Sequence, residues 1–147
     1  MPSTFLSTRS RLIAAAPDDV LAVVRDASSW PAWQPEIRSA SGSSELKSDD
    51  VVRGDADMLG FKVHGHSTIT EVGDGRFEED VVVGVNLRIA FLFEPTPNGT
   101  RVTHRMTTQL PTGVMGRLLS VFLRRRLVHM QRTALDRLAR HAEASAS

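Results

Sequence analysis

Glu79 and His104 are the two side chains of this chain whose chemistry and sequence context suit proton transfer. Glu79 lies in "FEEDVVV", where the register of the predicted hairpins places it among apolar neighbours. Burial there would raise its pKa, because desolvation disfavours the charged form. Such a carboxyl group can act as a general acid or base, or anchor a ligand hydroxyl. The alternative is that Glu79 pairs with Arg9 or Arg11 of the first strand, or lies at the rim of the sheet.

His104 is expected on the same face as Glu79, one residue pair along and two strands over. At a strand spacing of about 4.8 Å, the two side chains would be roughly 10 Å apart. That separation suits two groups that address one ligand, rather than a direct hydrogen bond between them. The alternative is a core histidine whose ring nitrogens are satisfied within the protein.

Two other clusters of functional side chains have simpler interpretations. His64 and His66 lie two residues apart on one strand, a spacing that zinc or copper can use, but the sequence offers no third ligand beside them. The arginines at 124–126 could bind phosphate, but on a helix they point in three directions. The sequence therefore predicts surface histidines without a metal and a solvated helix without a nucleic-acid partner.

Composition and motifs exclude several classes of protein. The 147 residues suit one domain, 1–147, and the net charge of +1 provides no overall field for nucleic acid. The lack of cysteine suits a reducing compartment, and no apolar stretch has the length of a signal peptide or membrane span. The Walker, dinucleotide, nucleophile-elbow, paired-carboxylate and His-Glu-x-x-His motifs are all missing from the sequence. We predict a cytoplasmic protein with no cofactor and no stable membrane insertion.

The elements that position these residues follow from periodicity. Phe5 to Ile13 is typical of a strand, and Pro17 with two aspartates begins a short helix. From Glu36 onward, short segments rich in Val, Ile, Phe and Thr are separated by glycines, which predicts an antiparallel meander. After residue 111 the apolar period becomes helical and continues to about Glu143, a helix of roughly 45 Å.

Each hairpin has one register that places apolar side chains on a single face. A two-residue turn at 98–99 and three-residue turns at 84–86 and 73–75 give this result. At 73–75, a two-residue turn would instead place Ile69 opposite Asp80 and Glu71 opposite Glu78. That register would pair an apolar with a charged side chain and set two negative charges opposite each other. The predicted inner-face pairs are Phe93 with His104, Phe91 with Met106, Ile89 with Thr108, Val81 with Ile89, Glu79 with Phe91, Phe77 with Phe93, and Ile69 with Glu79.

Two segments resemble a known superfamily. The N-terminal "IAAAPDDVLAVVRDASSWPAWQPEI" and the hairpin "NGTRVTH" are similar to the START-like, or SRPBCC, superfamily, which includes polyketide cyclases and dehydrases. The resemblance implies an α+β helix-grip fold: a curved antiparallel sheet of about seven strands around a long C-terminal helix, with two short helices after strand 1 and an apolar cavity. Trp30 and Trp33 would lie on the second short helix, at the mouth of the cavity. His104 departs from the apolar or small residue expected at its position.

The sequence supports three classes of function. The first is binding of a small hydrophobic molecule, such as a lipid, polyketide or isoprenoid-like compound, between the sheet and the C-terminal helix. The second is a polyketide cyclase or dehydratase in which Glu79 and His104 transfer protons. The third is a protein-interaction module, for which we expect no exposed apolar segment.

The start of the C-terminal helix is apolar on all sides, which predicts either a lid over the cavity or simple core packing. The chain could be a monomer or a homodimer. The predicted ligand-binding residues are Trp33, Ile69, Phe77, Glu79, Val81, Ile89, Phe91, Phe93, His104, Met106, Leu118 and Phe122.

Overall fold

The computed structural model describes residues 3–58, 60–110 and 113–146. Its helices are α1 (Pro17–Val24), α2 (Trp30–Trp33) and α3 (Val114–Ala146), with a 3-10 turn at Ala27–Ser29. Its strands are β1 (Ser3–Ile13), β2 (Ile37–Ser41), β3 (Val51–Met58), β4 (Phe61–Gly73), β5 (Arg76–Val82), β6 (Asn86–Thr96) and β7 (Gly99–Leu110). The strands form one antiparallel sheet in the order β1-β7-β6-β5-β4-β3-β2. The predicted helix-grip fold is confirmed.

The helices begin where the sequence chemistry favours it. Pro17 occupies the first turn of α1, where a missing N–H costs nothing, and Asp18 and Asp19 lie at the positive end of the helix dipole. Helix α3 packs mainly against β1 and the two short helices. No helix in the described part of the chain is long and apolar enough to cross a membrane.

The registers of two hairpins differ from the predicted ones by two residues. Phe91 pairs with His104 and Ile89 with Met106 across β6 and β7, and Glu79 pairs with Ile89 across β5 and β6. A shift of two residues leaves every side chain on its predicted face. Because the two shifts compensate, Glu79 remains in line with Met106, and His104 remains one pair along and two strands over.

The β6–β7 register differs because the turn is made by Pro97 and Asn98. Thr96 pairs with Gly99, so Gly99 belongs to the strand. Gly99 has a φ of 141°, and a Cβ atom on it would lie 2.1 Å from the carbonyl oxygen of Ile13. The glycine therefore allows the end of β1 to approach the backbone of β7, and it does not mark the centre of the turn.

The β4–β5 hairpin combines the two registers that the sequence presented as alternatives. Asp74 and Gly75, with φ values of 53° and 74°, form a two-residue turn, which sets Glu71 opposite Glu78. A bulge between Ile69 and Glu71 then restores the predicted pairing of Ile69 with Glu79. The predicted turn length was wrong, but the predicted inner pair is confirmed.

The interior of the sheet contains two hydrophobic clusters. The first joins the short helices and the C-terminal half of α3, including Leu138, to the middle of the sheet. The second joins Leu127 of α3 to Met106 and to the β5–β6 hairpin. Ile89 packs against both clusters. Since Glu79 lies opposite Ile89, its carboxyl group enters the interior where the two clusters meet.

Candidate functional site

Glu79 is a buried acid in an apolar wall. Glu79 is 3% exposed, and its neighbours on the same face of β5 are Phe77 and Val81. Burial raises the pKa of Glu79 to about 8; the Ser67 hydroxyl partly counteracts this shift, and the charge of Asp80 adds to it. The carboxyl group is therefore mainly protonated at pH 7 and can donate a hydrogen bond.

No arginine neutralises this acid within the described residues. The Nη1 atom of Arg11 lies 2.6 Å from an oxygen of Asp136 on α3. Arg9 lies on β1 opposite His104, and its Nε atom is buried without a hydrogen-bond partner in the described part of the chain. The alternative in which Glu79 pairs with Arg9 or Arg11, or lies at the rim, is therefore wrong.

Ser67 is a second polar group on this wall, and the sequence interpretation missed it. Its residue is 3% exposed, and its Oγ atom makes no hydrogen bond of regular geometry among the described residues. It lies one residue pair from Glu79, opposite Val81. The register predicted from the sequence already placed Ser67 inside, so a polar residue at an inward position was the pattern that could have identified it.

Ser67 lines a hollow of about 50 Å³ on the inner face. Gly54 and Gly65, paired across β3 and β4, contribute no side chains to this part of the sheet. Trp30 and Val81 are among the apolar residues around the hollow. Its volume is enough for a few water molecules, whereas a site for a drug-sized ligand needs about 300 Å³ or more.

The aromatic residues predicted to line a cavity instead fill the core. Trp33 packs edge-on against Phe91 with ring centroids 5.9 Å apart. Phe91 lies 6.2 Å from Phe77 and 6.4 Å from Phe93, centroid to centroid. Trp33 is buried in one cluster with Leu138 of α3, so its predicted place at a cavity mouth is wrong. The cause is tertiary: α2 and α3 together close the space above these rings.

The other predicted lining residues divide into two groups. Ile69 and Met106 are buried, one in each hydrophobic cluster. Leu118 and Phe122 are 69% and 57% exposed, so the structure places them at the surface and not against the sheet. The buried face of this part of α3 contains Gly116, Ser120, Leu123 and Leu127 instead.

His104 is neutral because it is buried, and its hydrogen-bond partners determine its tautomer. The Nε2 atom of Gln131, on α3, donates to Nδ1 of His104 at 2.8 Å and to the backbone carbonyl oxygen of His104 at 3.0 Å. The Oγ atom of Ser7 in turn donates to Gln131 Oε1 at 2.7 Å. Because Nδ1 accepts a hydrogen bond, the proton of the neutral ring lies on Nε2. Burial lowers the pKa of His104 to about 4, so the ring is neutral at pH 7.

We expect an NMR titration of the His104 ring to show a midpoint near pH 4 and a neutral Nε2–H tautomer at pH 7. The variant Gln131→Met removes the donor to Nδ1. Its ring should populate both tautomers while the midpoint stays low, because burial is unchanged. A wild-type midpoint near the ordinary pKa of about 6.5 would contradict the buried, neutral ring.

Several charged groups outside this wall interact with neighbours of their own. Arg124 lies 5.5 Å above the ring of Phe5, while Arg126 and Arg137 act electrostatically on the partly buried Glu36, whose pKa is raised mainly by burial. The ring of the exposed His64 contacts the carboxylate of Asp55. No group of three or more potential metal ligands occurs among the described residues.

Comparison with known proteins identifies the family. The family described as "Polyketide cyclase / dehydrase and lipid transport" matches residues 4–143, nearly the whole chain. The chain belongs to this family. No curated protein matches the sequence.

Solved structures agree with the fold of the family. A protein from Thermus thermophilus is 20% identical, with a TM-score of 0.80 over 99% of this chain and 100% of that one. BexL, a di-domain ARO/CYC of the BE-7585A biosynthetic pathway, is 22% identical, with a TM-score of 0.78 over 95% of this chain and 50% of that one. StfQ, a di-domain ARO/CYC of the steffimycin pathway, is 17% identical, with a TM-score of 0.79 over 97% and 52%. The chain thus spans about half the length of the di-domain proteins.

Proposed function

We propose that this protein binds a small, mostly apolar molecule that carries a hydroxyl or keto oxygen, with that oxygen held by Glu79 and Ser67. The observation that carries the proposal is a protonated carboxyl group beside a buried hydroxyl that makes no hydrogen bond of regular geometry among the described residues, both inside an apolar wall. A buried polar group left without a partner costs about 1–3 kcal/mol. A ligand oxygen bound beside Ser67 would accept a hydrogen bond from the Ser67 hydroxyl and another from the protonated carboxyl group of Glu79, one residue pair along the sheet.

The apolar remainder of the ligand needs more space than the hollow provides. The second hydrophobic cluster, between α3 and the β5–β6 hairpin, is the region best suited to open, because Met106 and Met130 belong to it. Methionine side chains are flexible and tolerate rearrangement. We therefore expect the ligand to extend from Ser67 toward these methionines, which is compatible with a lipid, a polyketide or an isoprenoid-like compound.

A second candidate is a cyclase or dehydratase that acts on a polyketide. Family membership and the likeness to ARO/CYC folds support it. A pKa of about 8 suits Glu79 as a general acid near neutral pH. The Nε2–H group of His104 would polarise a carbonyl group of the substrate, since its Nδ1 atom is occupied by Gln131.

The two candidates predict different results for two variants of Glu79. Glutamine preserves a donor and an acceptor, as in the protonated acid, but cannot transfer a proton; leucine removes both. We expect Glu79→Leu to weaken binding of prodan, a fluorescent apolar ketone, about tenfold, and Glu79→Gln to change it little. Binding by the wild type should weaken above pH 8, when the acid ionises and stops donating.

Native mass spectrometry of the protein purified from its own cells provides the independent readout. A retained adduct in the wild type and in the exposed-glutamate control Glu94→Gln, lost in Glu79→Leu, is expected for a carrier. Turnover of a poly-keto chain that Glu79→Gln abolishes, with ligand binding intact, would favour the enzyme. Absence of both an adduct and saturable prodan binding in the wild type would reject the proposal.

A further inference from the structure

The first turns of α3 expose a run of large apolar side chains. Leu118, Leu119, Val121 and Phe122 are each between 46% and 69% exposed, and Phe61 at the start of β4 is 73% exposed. The expectation that this chain has no exposed apolar segment is therefore wrong. Monomeric proteins rarely leave contiguous apolar surface uncovered without an interaction role.

The same part of α3 is basic. Residues 114–135 contain arginines at 117, 124, 125, 126 and 132 but no aspartate or glutamate, and the first acid of the helix is Asp136. Arg117 and Arg125 form no ion pair within the described part of the chain. This local excess of positive charge contrasts with a net charge of only +1 for the whole chain.

Apolar and basic residues follow one another along a single line of the helix. At 100° per residue, Leu118, Phe122, Arg125 and His129 share the face opposite the buried residues. Phe122, Arg125 and His129 also line one surface groove, together with Gly60 next to Phe61. The line is therefore apolar at its N-terminal end and charged at its other end, and Gly60 brings the start of β4 beside it.

We propose that this face, defined by Leu118, Phe122, Arg125 and His129 and flanked on one side by Arg117, docks on the surface of an anionic membrane. Apolar side chains beside arginines on one helix face are typical of helices that lie in a lipid interface, where the arginines meet anionic headgroups. A second copy of the chain fits less well, because it would bring the unpaired arginines together. Nucleic acid would leave the apolar centre of the face uncovered.

Vesicle flotation tests the proposal with the full chain. We expect binding to phosphatidylcholine vesicles that contain about one third phosphatidylglycerol, much weaker binding to pure phosphatidylcholine, and loss of binding in high salt. Leu118→Ser with Phe122→Ser should weaken binding at least about tenfold. Arg117→Gln with Arg125→Gln should weaken it about 30-fold.

Matched controls separate the face from general surface properties. Leu6 and Leu12 on β1 are 59% and 55% exposed, so Leu6→Ser with Leu12→Ser removes similar apolar area elsewhere. Arg53→Gln with Arg140→Gln removes the same charge at other exposed sites. Both pairs should bind vesicles within about twofold of the wild type.

Three results would overturn the proposal: no binding to anionic vesicles at low salt, face variants that bind like the wild type, or controls that lose binding equally. Light scattering that shows a dimer, dissociated by Phe122→Ser, would assign the face to a second copy instead. Because none of these substitutions touches Glu79 or Ser67, adduct retention is a separate readout, and either proposal can fail alone.

Discussion

Replacing Glu79 by glutamine should stabilise the folded protein at pH 7 by about 3 kcal/mol. In the unfolded chain this acid ionises near its ordinary pKa of 4.5, whereas in the folded protein its pKa is about 8. Between those values the unfolded state binds fewer protons, so stability falls by about 1.4 kcal/mol per pH unit as the pH rises. Glutamine does not ionise and avoids this loss.

The pH profile is the diagnostic measurement. Urea unfolding of the wild type and of Glu79→Gln should give nearly equal stabilities at pH 4.5, a difference of about 3 kcal/mol at pH 7, and a plateau above pH 8. The control Glu94→Gln, at an exposed position, should track the wild type. A difference that does not depend on pH would show that the carboxyl group is already ionised in the folded protein, and would contradict its burial in the apolar wall.

This expected gain gives a physical reason to connect Glu79 with function. Glu79 destabilises the protein at neutral pH, whereas glutamine, an uncharged residue of similar size, would not. Natural proteins commonly accept such costs at sites where activity requires them. The prodan and turnover measurements on the same glutamine variant therefore test the function, while its unfolding curve tests the burial.

The fold and the inward faces of the strands could be predicted from the sequence because they depend on the spacing of apolar residues along each element. Alternation with a period of two fixes which face each side chain occupies, and an error of two residues in pairing does not change that face. Glu79 and His104 were therefore placed correctly, although both hairpin registers that relate them were wrong. The bulge at Thr70 was missed because it cancels the effect of the shorter turn on the inner pairs.

The shape of the interior could not be predicted in this way, because it depends on how elements pack. Alternation places Phe77, Phe91 and Phe93 inside, but it does not say whether α2 and α3 stand away from them or fill the space. The same limit explains Leu118 and Phe122. When a helix segment is apolar on all sides, the spacing of its apolar residues does not show which side is buried. Only the packed structure shows which side contacts the sheet.

Replacing Trp33 by alanine should cost about 3–5 kcal/mol, because Trp33 is the residue through which α2 closes the core. Its ring is 1% exposed and contacts Phe91, and its Nε1 atom donates to Ser29 Oγ at 3.0 Å. Alanine would leave a cavity between α2 and the sheet. Thermal unfolding should show the midpoint fall by roughly 9–15 °C.

Two comparison variants show whether packing is the cause. Trp33→Phe keeps most of the ring contact and loses the hydrogen bond to Ser29, so its cost should be nearer to about 1 kcal/mol. Phe61→Ala removes an aromatic ring that is 73% exposed and should change stability by less than about 0.5 kcal/mol. If Trp33→Ala were as mild as Phe61→Ala, the ring would not be part of a filled core.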